Sequence, residues 1–136
     1  MAIKQISALI PNQEGALADL TEIFYKNGID LRAITVNDTS EYGIMRCIVD
    51  DPNRATSLLA AEGIVAKLSE VLAIDPKDEV GSLFKIFRLL GDNGINIDYI
   101  YAFLERNDDD AQYFVMKVNN VEKAEELLIA SGTKVI

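Results

Sequence analysis

The sequence predicts an α+β protein of two tandem β-α-β-β-α-β units, each a four-stranded antiparallel sheet with two helices on one face. Three observations predict it. Asn27-Gly28-Ile29-Asp30-Leu31 returns as Asn93-Gly94-Ile95-Asn96-Ile97, sixty-six residues later. At the same offset Gly15-Ala16-Leu17 becomes Gly81-Ser82-Leu83, and Asn12 becomes Asp78. Further on, Leu58-Leu59 matches Leu127-Leu128 and Gly63 matches Gly132, now at an offset of sixty-nine. The three extra residues fit an insertion in the polar run Glu105-Arg106-Asn107-Asp108-Asp109-Asp110. Spaced matches with one local change of length describe a duplicated unit.

Each element of the first unit has a local reason. Ile3 to Ile10 is an apolar run ended by Pro11, which reads as a strand. Leu17, Leu20, Ile23 and Phe24 fall on one helical face. Asn27-Gly28 closes that helix, as Gly does at the left-handed C-terminal position. Ile29 to Val36 is β-rich, Asn37-Asp38-Thr39-Ser40 is a turn cluster, and Ile44 to Val49 completes a hairpin. Asp51-Pro52 opens a second helix, with Asp as N-cap and Pro at the first helical position. Ala55, Leu58, Leu59 and Glu62 recur at helical spacing, Gly63 ends the helix, and Ile64 to Leu68 is the last strand.

The second unit repeats the order. Val71 to Ile74 reads as a strand, and Leu83, Ile86, Phe87 and Leu90 line a helix. Ile95 to Phe103 and Gln112 to Val118 make a hairpin. Asn120 caps a helix carrying Ala124, Leu127 and Leu128, and Thr133 to Ile136 is a short final strand. Both units therefore have the ferredoxin-like, or split βαβ, arrangement. The boundary falls near Ser69-Glu70, giving domains at 1–69 and 70–136. No Pro- or Ser-rich linker separates them, so the halves are expected to pack rather than swing.

Composition excludes several uses of this fold. Lys and Arg number 13 against 22 Asp and Glu, a net charge of −9, and histidine is absent. Nucleic-acid binding draws its affinity from clustered cations, so no nucleic-acid partner is expected. Without His the commonest general base and metal ligand are missing. A single cysteine, Cys47, cannot form a disulfide, a zinc site or an iron–sulfur cluster within the chain. It reads as a small core residue among Ile44, Met45, Ile48 and Val49. No catalytic constellation, metal site or cofactor site is expected. No apolar run approaches a membrane span, and the start has no signal-peptide character, so a cytoplasmic protein without a membrane partner is expected.

The segments joining first strand to first helix carry the functional signal. They read Pro11-Asn12-Gln13-Glu14-Gly15-Ala16-Leu17 and Pro76-Lys77-Asp78-Glu79-Val80-Gly81-Ser82-Leu83. With Asn12 and Asp78 as N-caps, Gly15 and Gly81 would fall in the first helical turn. There Gly is costly, and its recurrence suggests a close approach by another group. A helix N-terminus also offers unpaired N–H groups and partial positive charge, which suit a carboxylate.

The element order, the Gly-x-Leu opening of the first helix and the Asn-Gly-Ile-Asp/Asn step together resemble the ACT domain. That family is a small-molecule sensing module of amino-acid metabolism. The resemblance covers nearly the whole chain as two copies. It implies an amino-acid ligand bound where domains meet, lined by the strand-helix loop and the start of the second strand. Carried over, those positions are Asn12, Gln13, Glu14, Gly15, Ala16 and Leu17 with Ile29, Asp30 and Leu31. In the second copy they are Asp78, Glu79, Val80, Gly81, Ser82 and Leu83 with Ile95, Asn96 and Ile97. The family often carries a basic residue and Pro before this Gly, where Gln13-Glu14 and Val80 stand here.

On this reading the ligand's α-carboxylate meets N–H groups near Gly15 or Gly81, and its ammonium meets Asp30, Asn96 or a carbonyl. The expected function is a non-catalytic amino-acid sensor that acts on a partner enzyme. The alternative is a regulatory subunit of a biosynthetic enzyme, of the acetolactate synthase type, acting by contact alone. Open sheet edges point to pairing, either of the two copies with each other or of two chains, and a homodimer is expected. Asp108-Asp109-Asp110 reads as a solvated hairpin tip, and Tyr99-Ile100-Tyr101 as a contact face.

Overall fold

The computed structural model describes residues 2–38, 41–103 and 112–136. The chain divides into two compact units, one of Lys4–Ser69, the other of Glu70–Ile136 with Met1–Ile3. Both are α+β, as the repeat predicts.

The N-terminal unit runs β1 (Ile3–Pro11), α1 (Ala16–Lys26), β2 (Leu31–Asp38), β3 (Tyr42–Val49), α2 (Pro52–Ala61) and the first part of β4 (Ala66–Asp75). Its strand order is β2-β3-β1-β4. In the antiparallel β1–β3 pair, Ile6 faces Cys47 and Ala8 faces Met45. These residues therefore share one face. Leu20 and Phe24 of α1 and Ala55 and Leu59 of α2 close onto it. All are almost fully buried. Each large apolar side chain so buried contributes about 1.5–3 kcal/mol.

The C-terminal unit takes over at Glu70 and continues with α3 (Ser82–Asp92), β5 (Ile97–Phe103), β6 (Tyr113–Val118), α4 (Val121–Ala130) and β7 (Lys134–Val135). The strand order is β7-β4-β6-β5. Ile86 and Leu90 of α3, with Ala124 and Leu128 of α4, stand on Leu72, Ile74 and Met116. These pairs are the repeat partners of Leu20 and Phe24, and of Ala55 and Leu59.

Capping follows the sequence closely at α2 and α4. The Asp51 carboxylate accepts from the Arg54 N–H at 3.3 Å, with Pro52 at the helix start. The Asn120 side chain accepts from the Lys123 N–H at 3.1 Å. Asn27 and Asn93 end α1 and α3, and each side-chain amide donates to the carbonyl four residues back, at 2.8 Å. Gly28 and Gly94 then turn left-handed, at φ 69° and 76°.

Three boundaries differ from expectation. Ile64–Leu68 and Val71–Ile74 were expected as two strands, yet β4 is one continuous strand. No Gly or Pro lies between Gly63 and Pro76, so nothing breaks the extended backbone. The second strands begin at Leu31 and Ile97 rather than at Ile29 and Ile95. Each starts against an irregular register, between Leu31 and Ala33 and between Ile97 and Tyr99. The final strand shortens to Lys134–Val135, although the Ile136 N–H still donates to the Ala73 carbonyl at 2.8 Å. The hairpin tip at Asp108-Asp109-Asp110 lies outside the described residues.

Cys47 is a core residue. Burial pushes its thiol up to about 12, which leaves it protonated and inert at neutral pH. Tyr99 and Tyr101 stack at a centroid distance of 6.3 Å, both half-buried. No helix of the described residues is long and apolar enough to cross a membrane.

Candidate ligand-binding loops at two helix N-termini

The two strand-helix loops have the same backbone geometry. In the first, the Gln13 N–H donates to Pro11 O at 3.0 Å, the Ala16 N–H to Gln13 O at 3.3 Å, and the Asp19 N–H to Gly15 O at 2.9 Å. In the second, Glu79 donates to Lys77 O at 2.9 Å, Ser82 to Glu79 O at 3.2 Å, and Lys85 to Gly81 O at 2.9 Å. The Asp19 and Lys85 bonds are the first of each helix. The N–H groups of Leu17, Ala18, Leu83 and Phe84 precede them, at the positive end of the helix dipole.

The glycines occupy a different place from the one expected. Gly15 and Gly81 are themselves the N-caps of α1 and α3, at φ 82° and 89°. Asn12 and Asp78 are not the N-caps, and Gly is not spent inside the first turn. Asn12 is instead tied to the β2–β3 turn, its N–H donating to Glu41 O at 2.9 Å. Nothing lies within 4 Å of where a Cβ would stand on either glycine. The glycines recur because the backbone is left-handed there, and not because a neighbouring group crowds them.

Each loop borders a cavity within its own unit. In the N-terminal unit a groove of about 550 Å³ runs along α1. Gln13, Glu14 and Ala16 line one end, with Leu20, Ile23 and Ile64 as apolar floor. Its charge is mostly negative, with Glu14, Asp19, Glu22 and Glu62 against Lys26 alone. Lys26 is already held by Glu22 at 2.9 Å. That hydrogen bond raises its pKa.

In the C-terminal unit a cavity of about 730 Å³ opens at the N-terminus of α3. Asp78, Glu79, Gly81, Ser82 and Leu83 line it, with Phe84, Gln112 and Phe114 beside them. Here Lys77 and Lys134 face Asp75, Asp78 and Glu79. Lys134 Nζ also lies 5.8 Å from the centroid of the Tyr113 ring. Among the described residues that line these two cavities, cations accompany the helix N-terminus only in the second copy. Sequence reasoning missed Lys134, Gln112 and Phe114, which lie more than twenty-five residues from the loop. The Gly63–Gly132 match was the one signal near them.

The other expected site segments lie elsewhere in each unit. Ile29-Asp30-Leu31 and Ile95-Asn96-Ile97 line none of these cavities. The eight-residue β2 separates Asp30 from the Asn12–Leu17 end by about 26 Å, at 3.3 Å per residue. Asp30 and Asp50 close the far end of the hairpin. The Asp30 N–H donates to Asp50 Oδ1 at 2.9 Å, and the Asp50 N–H donates to Asp30 O at 3.2 Å. Asn96 and Asn119 do the same at 3.0 and 3.2 Å. Asp30 also faces Arg32, at 3.7 Å. Within one unit the two expected halves of the site do not meet. Among the described residues no cluster of three metal-ligating side chains occurs.

Two ferredoxin-like units in tandem, each with a left-handed glycine loop opening its first helix, define a class: a duplicated βαββαβ pair. The family described as an ACT domain pair matches residues 1–136, and the chain belongs to it. Comparison with the curated proteins returns no match. Among solved structures, a protein from Bacteroides thetaiotaomicron is 29% identical with a TM-score of 0.91, over 100% of this chain and 92% of that one. The ligand-free regulatory subunit of aspartate kinase from Thermus thermophilus is 23% identical with a TM-score of 0.67, over 95% and 90%. The corresponding subunit from Thermus flavus is also 23% identical, with a TM-score of 0.64 over 93% and 88%. The Thermus structures share the fold.

Proposed function

We propose that the chain is a non-catalytic regulator that binds a free amino acid at the α3 loop and transmits binding to a partner enzyme. The supporting observation is the pairing of an N-terminal helix loop with Lys77 and Lys134 around one cavity. The ligand's α-carboxylate meets the N–H groups of Leu83 and Phe84, in the field of the two lysines. Its ammonium is offered Asp75, Asp78 or Glu79 on the same wall. Its side chain faces Leu83, Phe84 and Phe114. The α1 loop, bordered by four carboxylates, is the poorer carboxylate site despite its identical backbone.

Regulation then rests on coupling. A ligand that favours one arrangement of the loop shifts the partner's equilibrium, typically by ~1–3 kcal/mol or about 5–150-fold. The named Thermus relatives are regulatory subunits of aspartate kinase, so a biosynthetic kinase is one class of partner this fold serves. The experiment is thermal unfolding of the protein against each of the twenty amino acids. At 100 times its dissociation constant a ligand adds about 2.7 kcal/mol. A shift of several degrees with one amino acid or a chemically related group is expected. No shift with any of them removes the sensor reading and leaves regulation by contact alone.

A further inference from the structure

We propose that Asn93 is a site of spontaneous deamidation and that its repeat partner, Asn27, is protected. Both precede glycine, as Asn27-Gly28 and Asn93-Gly94. A glycine nitrogen is the least hindered backbone nucleophile, because no side chain stands beside it. The reaction is internal. The Gly94 nitrogen bonds to Asn93 Cγ while the Cγ–Nδ2 bond breaks, and Nδ2 leaves as ammonia with the Gly94 N–H proton. Water then opens the cyclic imide at either carbonyl, leaving an aspartyl or a β-linked aspartyl residue. Ring closure needs the glycine nitrogen to eclipse the asparagine Cβ. In the folded chain ψ is 9° at Asn27 and 17° at Asn93. Each glycine nitrogen therefore nearly eclipses the asparagine's own nitrogen instead. The peptide must turn by more than a right angle before it can react, so deamidation waits on opening of the helix end.

The bonds that must open are matched in the two repeats. At Asn27 the side-chain amide donates to Ile23 O at 2.8 Å, the Gly28 N–H donates to Tyr25 O at 3.3 Å, and Arg54 donates to Asn27 O at 2.7 Å. At Asn93 the corresponding acceptor Leu89 O lies at 2.8 Å, the Gly94 N–H donates to Gly91 O at 3.1 Å, and Lys123 donates to Asn93 O at 2.7 Å. The residues of the last turn are not matched. α1 has Tyr25-Lys26 where α3 has Gly91-Asp92. Gly91 lowers helix propensity in the turn that must hold. Lys26 is a cation at the negative end of a helix dipole, and Asp92 is an anion at the same place. Their ion pairs repeat the difference. Glu22 precedes Lys26 at 2.9 Å, the favoured order, whereas Arg88 precedes Asp92 at 3.7 Å, the weaker one. All three differences make the end of α3 open more readily than the end of α1. Deamidation there replaces an amide that donates to Leu89 O with a carboxylate that only accepts, beside Asp92, and so removes the cap. The α3 loop at the opposite end of the helix takes no part, so this inference is independent of any ligand.

The test is peptide mapping by mass spectrometry on the full chain, incubated at mildly alkaline pH with and without urea. In native buffer Asn93 is expected to deamidate at least about tenfold faster than Asn27. In urea the two are expected to convert at similar rates, both faster than in native buffer. Gly91→Ala strengthens the last turn of α3 without harming the fold. It is expected to slow Asn93 about threefold and to leave Asn27 unchanged. Lys26→Asp is expected to speed Asn27 and to leave Asn93 unchanged. Asn27 converting as fast as Asn93 in native buffer overturns the proposal. So does a native rate at Asn93 equal to its rate in urea, or a Gly91→Ala variant in which Asn93 is as reactive as before.

Discussion

Arg54 of α2 reaches the last turn of α1, where its Nη1 donates to the carbonyl of Asn27 at 2.7 Å. Lys123 of α4 does the same to Asn93 in the second unit, also at 2.7 Å. A cation on the second helix thus serves the carbonyl end of the first, where the helix dipole is negative. The joint survived duplication although the cation changed its chemistry. A point charge with one donor is therefore enough, and the guanidinium fork is not required.

Arg54→Ala is expected to cost about 1 kcal/mol, below the ~1.5–3 kcal/mol of a hydrogen bond from a charged group because the site is exposed. In a chain of this size that lowers the thermal midpoint by about 3 °C. Arg54→Lys should recover most of it. Urea unfolding of the three proteins checks the ranking, and equal loss in the Lys and Ala variants would count against the joint.

Glycine substitutions should change sign with backbone conformation. Gly15→Ala and Gly81→Ala are each expected to destabilise by about 1 kcal/mol, because φ is 82° and 89° and L-residues pay to enter that region. Gly91 lies inside α3 at a helical conformation with open space around it. Gly91→Ala is expected to stabilise by about 0.5–1 kcal/mol. Denaturant midpoints measured side by side would show the opposite signs.

Cys47 gives a pH dependence. Burial holds the folded thiol near 12, against 9.0 for the ordinary group. Between those values the unfolded chain releases a proton that the folded chain keeps, so stability falls as pH rises. The contribution is fully present below pH 9. Cys47→Ala is expected to lose less stability than the wild type between pH 9 and 11, followed by chemical denaturation. A thiol reagent at pH 8 should react at the rate of unfolding and faster in urea.

Charge should separate the two loops. Lys134→Glu is expected to weaken amino-acid-induced stabilisation about fivefold, a little under 1 kcal/mol of electrostatic attraction at a helix N-terminus. Lys26→Glu, in the other unit, should leave it unchanged. Titration calorimetry at low and high salt checks both, since added salt screens the lysine contribution. Equal effects from the two variants would move the ligand away from the α3 loop.

Most of the fold was legible in the chain because its signals are local and doubled. Asp51-Pro52, Asn120 and the two Asn-Gly steps each set a helix end through bonds within a few residues. The alternation of Ile6, Ala8 and Ile10 set the buried face of β1. The loops were legible as sites of interest, but their caps were misread. Cap preference favours Asn12, yet the chain enters the helix only at the left-handed Gly15, three residues later, while the Asn12 N–H is tied to Glu41, some thirty residues away.

By itself, then, the sequence determined the duplication, the order of elements, the buried faces and the two loops. Periodicity, capping and turn chemistry act over a few residues and leave direct marks in residue order. Only the tertiary structure decided that β4 is unbroken, that glycine caps both first helices, and that Asp30 and Asn96 lie a strand's length from the loops. It also decided that Lys134 and Phe114 stand beside the α3 loop. Those outcomes depend on which distant backbone groups compete for the same hydrogen bonds, and on which charges the sheet brings to one end.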